Sequence, residues 1–301
     1  MVQADFDRDY LGYRGNPPSI SWPGNAPLAV SFVVNFEESA EYSIRSGDQK
    51  NEAVHEVNKL VEGADTCVDR HFEYGTRSGW WRLMDCLDRH HVKATVSTCG
   101  MAAQKLPELV ADAVARGHEI SAHGWRWESH AGMAAEEERG NIRKTVDAIT
   151  EAAGRRPVGW HTRSSTSLNT RRLLVEDGGF LYDSDAYNDD VPYFTRVGDH
   201  RHLVLPYAFD TNDMQFYDSN RFNGRDFAAY VIDAFDWLVR EGRTQPRMLS
   251  IGLHLRIIGR PGRMAALEQI LEHITDSQKA WVTTREEIAR HWIAETDGSA
   301  R

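Results

Sequence analysis

Residues 28–38 read LAVSFVVNFEE, a nine-residue β-rich run that ends in two carboxylates, Glu37 and Glu38. The run Leu28–Phe36 is too short for a core helix. It is rich in the branched and aromatic residues that favour an extended chain. Side chains alternate along a strand, so one carboxylate can point to one side of the strand end while its neighbour turns aside. Further strands are expected at Ala94–Thr98, Glu119–Ala122, Val158–His161, Phe180–Asp183, Leu203–Tyr207, Met248–His254 and Lys279–Thr283. Helical spacing of apolar residues fills most of the intervals: Trp80–His91, Leu106–Arg116, Ala135–Ala153, Thr170–Asp177, Arg225–Glu241, Arg263–Ile274 and Arg285–Ile293. Strands alternating with helices imply parallel pairing and right-handed crossovers. The expected fold is therefore an α/β barrel, irregular, with about seven parallel strands; an open doubly wound sheet is the alternative. One domain over 1–301 accounts for the length, with residues 1–27, rich in glycine and proline turns, wrapping its outside.

Polar residues collect where strands end: Glu37 and Glu38 after the first, His123 after the third, and His161, Thr162 and Arg163 at the fourth. Asp183 and Asp185 end the fifth, Asp210, Asn212 and Asp213 follow the sixth, and His254 ends the seventh. A barrel gathers its strand ends around one mouth, so these side chains are expected to converge there. A carboxylate in a water-poor mouth can act as a general base and a histidine can protonate a leaving group near neutral pH. Their bland counterparts are a solvated turn and a histidine satisfied by a backbone carbonyl. In HEISAHGWRWESH (118–130), Trp125 and Trp127 offer stacking surface to a small planar molecule, or simply fill core. In SIGLHLRIIGRPGR (250–263), Arg256 could bind a carbonyl-rich substrate, while Arg260 and Arg263 read as solvated loop. Asp183 could orient a catalytic partner. No GxSxG elbow, HExxH or glycine-rich phosphate loop occurs.

Composition narrows the partners. A net charge of -10 disfavours nucleic acid and anionic membrane. Three cysteines without a CxxC pair read as reduced thiols. The first residues have no apolar core of a signal peptide, and no run of about 18 apolar residues predicts a membrane span. A cytoplasmic location is expected.

These segments, in this order, resemble the polysaccharide deacetylase superfamily (NodB-like), over nearly the whole chain. Its members open with an acid pair after a strand, the first acid a general base and the second a metal ligand; the resemblance maps these roles to Glu37 and Glu38. Two metal-binding histidines at i and i+4 follow in that family, of which His123 matches the first and Trp127 stands at the second. A late Leu-His motif supplies the general acid and maps to His254. GYRGNPP, WPGNAPLAVSFVVNFEE, YGTRSGWWRL, NTRRLLVEDGGFLYDSD and NDMQF look like the allantoinase branch, whose relatives include cyclic imide hydrolases. Where that branch has a Tyr-Thr-Gly-Arg stretch, this chain has Trp160-His161-Thr162-Arg163-Ser164-Ser165, which opens the substrate to other cyclic amides, imides or ureides.

The resemblance implies a hydrolase that opens a C–N bond of a small ring. Glu37 and His254 are catalytic, with His123 and Arg163 as oxyanion donors. Glu38, His123, Trp127, His161, Arg163, Asp183 and Arg256 form the substrate site. It further implies a homo-oligomer and, in this branch, no cofactor. A divalent metal such as zinc, held by Glu38, His123 and His130, is the alternative. Rival functions are a metal-dependent N-deacetylase of amino sugars and an inactive barrel that binds a small metabolite.

Overall fold

The computed structural model describes residues 8–54, 61–163, 165–214, 216–217 and 223–298; residues 1–7 of the expected wrap and Ser164 lie outside that range. Nine strands form one sheet: β1 (Leu28–Phe36), β2 (Thr95–Thr98), β3 (Glu119–Ala122), β4 (Gly159–Trp160), β5 (Tyr182–Asp183), β6 (Tyr193–Val197), β7 (His200–Val204), β8 (Arg247–His254) and β9 (Ala280–Val282). Around them stand α1 (Thr66–Tyr74), α2 (Trp80–Arg89), α3 (Gly100–Lys105), α4 (Pro107–Ala115), α5 (Ala135–Ala153), α6 (Thr170–Asp177), α7 (Gly224–Glu241), α8 (Pro261–Ser277) and α9 (Arg285–Gly298). The order across the sheet is β6-β7-β5-β4-β3-β2-β1-β8, with β9 beside the start of β1. All neighbours are parallel except β6 and β7, a hairpin that period-two reading did not separate from its surroundings. After β7 a single parallel bridge, Asn212 to Gly252, joins the chain to β8 and brings the curved sheet nearly to closure.

The alternation on β1 decides what faces where. Leu28, Val30, Phe32, Val34 and Phe36 enter the large apolar cluster that packs under the helices, where the Phe36 and Trp80 rings lie 5.3 Å apart. Ser31 and Asn35 turn the other way, into the barrel: Asn35 reaches the Tyr207 hydroxyl, and Ser31 faces Ser250 across the β1–β8 pair. Both faces are covered, which is why all nine residues of β1 are buried and why the run reads as nearly continuous apolar sequence. Arg285, the first residue of α9, enters the barrel interior and donates to the Ser250 hydroxyl and to the Leu205 and Pro206 carbonyls, satisfying a buried cation beneath the mouth.

Register sets the height of the mouth. Asn35 pairs with His254, Phe36 with Thr98, Thr98 with Ala122, Ala122 with Trp160, and Trp160 with Asp183. Glu37, His123 and His161 each stand one residue beyond this line, so they share one level at the carboxyl end of the sheet.

Candidate active site

Glu37 continues the inward set of β1 (Ser31, Val33, Asn35) and points into a cavity of about 600 Å³. His123, Trp127, His161, Arg163, His254 and Arg256 line the same cavity. The size suits a small ligand. The two proposed catalytic groups meet across it: His254 Nε2 lies 3.3 Å from Glu37 Oε1. His123 Nε2 lies 3.4 Å from the same oxygen, and Arg256 Nη1 donates to Glu37 Oε2 at 2.8 Å. Two of these partners come from the end of β8: His254 is its last residue, and Arg256 stands two residues on.

Asp213 fixes His254. Its Oδ1 accepts from His254 Nδ1 at 2.6 Å, and its Oδ2 accepts the backbone N–H groups of His254 and Ile258 at 2.8 and 3.2 Å. A carboxylate on Nδ1 requires a hydrogen there, which leaves Nε2 as the atom that exchanges protons with the cavity. Burial alone would lower the His254 imidazole, but the charges of Glu37 and Asp213 push it up to about 9. Burial alone would raise the Glu37 carboxyl; His254 and Arg256 outweigh it and hold the group well below the usual 4.5. At neutral pH the pair is therefore carboxylate and imidazolium. The sequence puts Asp213 among the polar groups after the sixth expected strand; its three accepted bonds are a tertiary fact.

His123 donates from Nδ1 to the His161 carbonyl at 2.7 Å, because a carbonyl can only accept. Its Nε2 carries a hydrogen only when the ring is an imidazolium, so as an oxyanion donor it acts only in that form. The His161 ring stacks on it at 4.9 Å between centroids. Burial, with His123 and Arg285 adding, keeps His161 neutral. Arg163 lies 3.4 Å above the Trp127 ring and pairs with Glu52 at 3.1 Å. Glu52 was not foreseen, since nothing local marks it. Asn35 also faces the cavity, and its i−2 relation to Glu37 could have revealed it.

Two expected substrate contacts are corrected. Glu38, next in the alternation, turns out of the cavity and packs beside Gly75, in the π turn Gly75–Gly79 between α1 and α2. Burial pushes its carboxyl up to about 7, against the pull of Arg256 at 3.6 Å. Asp183 stands level with Trp160, one residue short of the mouth. It faces α6 and the hairpin instead, accepting from Arg171 Nε at 2.7 Å and pairing with His202 Nε2 at 3.0 Å. Parity along the strand puts it on the wrong side.

The ligand set weighed for a divalent ion does not fit. Trp127 occupies the second histidine position, and its indole supports two guanidinium groups, Arg163 at 3.4 Å and Arg256 at 4.8 Å. Arg256 brings a fixed positive charge to Glu37 and Glu38, where an ion's charge would be needed. His130 pairs with Glu138 through Nδ1 at 2.9 Å, behind Gly124 rather than in the cavity. Among the described residues, Glu38, His123 and His130 do not come within ligand distance of one another; such a group forms elsewhere.

The sequence model of the family described as polysaccharide deacetylase matches residues 62–182. A putative polysaccharide deacetylase of Schizosaccharomyces pombe is 38% identical over 311 residues, covering 95% of this chain and 97% of that protein. The crystal structure of a probable polysaccharide deacetylase from Pseudomonas aeruginosa PAO1 is 46% identical, with a TM-score of 0.92 over 96% of this chain and 99% of the other. That of PuuE allantoinase is 43% identical, also at 0.92, over 96% of this chain and 98% of its own.

Proposed function

This chain belongs to the polysaccharide deacetylase family and is a hydrolase of that family, and we propose that its reaction is the opening of one C–N bond in a small cyclic amide, ureide or imide, with Glu37 as base and His254 as acid. The observation that carries this reading is the 3.3 Å approach of His254 Nε2 to Glu37 Oε1 in a cavity whose residues do not fit the family's metal. The likeness to an allantoinase supports it.

The protons already sit where the reaction needs them. Glu37, held as carboxylate, takes a proton from the attacking water. His254, held as imidazolium, gives its Nε2 proton to the departing ring nitrogen. Each transfer helps the other, because the loss of positive charge from His254 raises the proton affinity of Glu37. Afterwards Glu37 is protonated and His254 neutral, and the short contact between them returns the proton directly; the new carboxyl group ionises to solvent. Arg256 fixes the carboxylate plane. Arg163, braced on Trp127 and Glu52, presents a flat cationic wall to ring carbonyls. An activated ring carbonyl suits a site that relies on such donors better than a plain acetamide does.

The test is a ring-opening screen of allantoin, hydantoin, succinimide and a dihydropyrimidine, with an N-acetylated amino sugar beside them, each with and without chelator. Ring opening that survives chelation and falls by about 10²–10⁴ in Glu37→Gln is expected. Deacetylation that needs a divalent ion would replace this reading by the metal-dependent one.

A further inference from the structure

Away from the mouth, two helices bring a thiol, an imidazole and a carboxylate together. Cys86 and His90 are four residues apart at the end of α2, the spacing that puts side chains on one face. Glu268 faces them from α8, with Oε1 4.0 Å from His90 Nε2. One ligand atom from each of the three lies within 4.8 Å of the others. Cys86 is buried, while the side chains of His90 and Glu268 are 15% and 45% exposed, so sulfur forms the floor and nitrogen and oxygen the rim of an accessible notch.

We propose that Cys86, His90 and Glu268 bind a borderline-soft divalent ion of the zinc class. Bond lengths of about 2.0–2.3 Å to nitrogen, oxygen and thiolate put tetrahedral ligands roughly 3.3–3.6 Å apart. The three ligand atoms already lie within 4.8 Å of one another, so side-chain adjustments of about an ångström bring them to that spacing. A water completes the four. Arg89 now pairs with Glu268 at 3.0 Å, but both side chains are about half exposed, and such a pair is worth at most about 1 kcal/mol. Thiolate coordination displaces the Cys86 proton, which leaves to solvent.

The notch stands behind the catalytic loop. α8 follows the segment that carries His254 and Arg256, and α2 supports that segment through Arg82, which donates to the Gly259 carbonyl at 2.5 Å. A bound ion ties these two supports together without touching the cavity, and the site stands whether or not the ring-opening reading does.

The whole chain, freed of metal by chelator and desalted, is titrated with cobalt(II). The expected result is a thiolate-to-cobalt charge-transfer band in the near ultraviolet, saturating at one ion per chain and displaced by zinc(II). Cys86→Ala removes the band. His90→Gln and Glu268→Gln weaken binding by roughly tenfold or more, and Cys67→Ala, which removes an exposed thiol, leaves it unchanged. Should Cys86→Ala fail to fold, the rim variant decides: zinc raises the melting temperature of the natural chain and not that of His90→Gln. No band in the natural chain, a band that follows Cys67, or equal zinc stabilisation of natural chain and His90→Gln overturns the proposal.

Discussion

Replacing Asp213 by Asn is the most informative perturbation of the proposed catalytic pair. Asp213 is fully buried and accepts three hydrogen bonds, two of them from His254. Its charge is one of the two that push the His254 imidazole up to about 9 from the ordinary 6.5. If its loss returns the imidazole to 6.5, the protonated share at pH ~7.5 falls from about 97% to about 9%, a loss of roughly tenfold; the shift is worth about 3 kcal/mol of differential interaction. The assay is the pH dependence of kcat/KM with a dihydropyrimidine, whose ring N–H stays un-ionised across the range. That profile reports the free enzyme. The alkaline limb is expected near 9 in the natural enzyme and to fall toward the ordinary 6.5 in Asp213→Asn. Activity of the variant should recover toward lower pH, where even a weakened imidazole is protonated. Recovery is the signature of a charge effect. A uniform loss at every pH, or an unmoved alkaline limb, would refute the assignment of His254 as an acid tuned by Asp213.

The same pair affects stability. A raised histidine contributes fully below its ordinary 6.5 and has lost that contribution once pH has climbed through about 9, so denaturant midpoints should fall between about pH 6.5 and pH 9, and fall less in Asp213→Asn. Gly79→Ala probes the support of the acid from outside the cavity. A Cβ there would sit 2.2 Å from the Leu255 carbonyl oxygen, backbone that cannot rotate away, one residue beyond His254. A destabilisation of about 1–3 kcal/mol with a fall in kcat is expected, read by thermal melting and the ring-opening assay; unchanged kcat would show that the loop position is not critical.

The sequence by itself determined the periodicities. Local chemistry dictates that Leu28–Phe36 is a buried strand and Ala135–Ala153 a helix, and the structure reproduces both spans, closing the helix with a left-handed Gly154. It also marked Glu37, Glu38, His123, His161, Arg163, Asp183 and His254 as strand-end groups, with Arg256 as a binder two residues past the last, because a parallel sheet carries its polar ends to one edge. Parity and distance were left to the tertiary structure. Which of two adjacent acids enters the cavity depends on the register that pairs Asn35 with His254, and the same parity sends Asp183 to Arg171 instead. Of the β6–β7 hairpin only the end of β7 was legible, within the strand expected at Leu203–Tyr207, since five-residue strands of mixed polarity carry too little pattern to separate from a loop. Asp213 beneath His254, Glu52 behind Arg163 and Arg256 against Glu37 are pairings across 41, 111 and 219 residues of chain. Such contacts leave no local trace, because the energy that selects them is gained only when the barrel brings the groups out of water together.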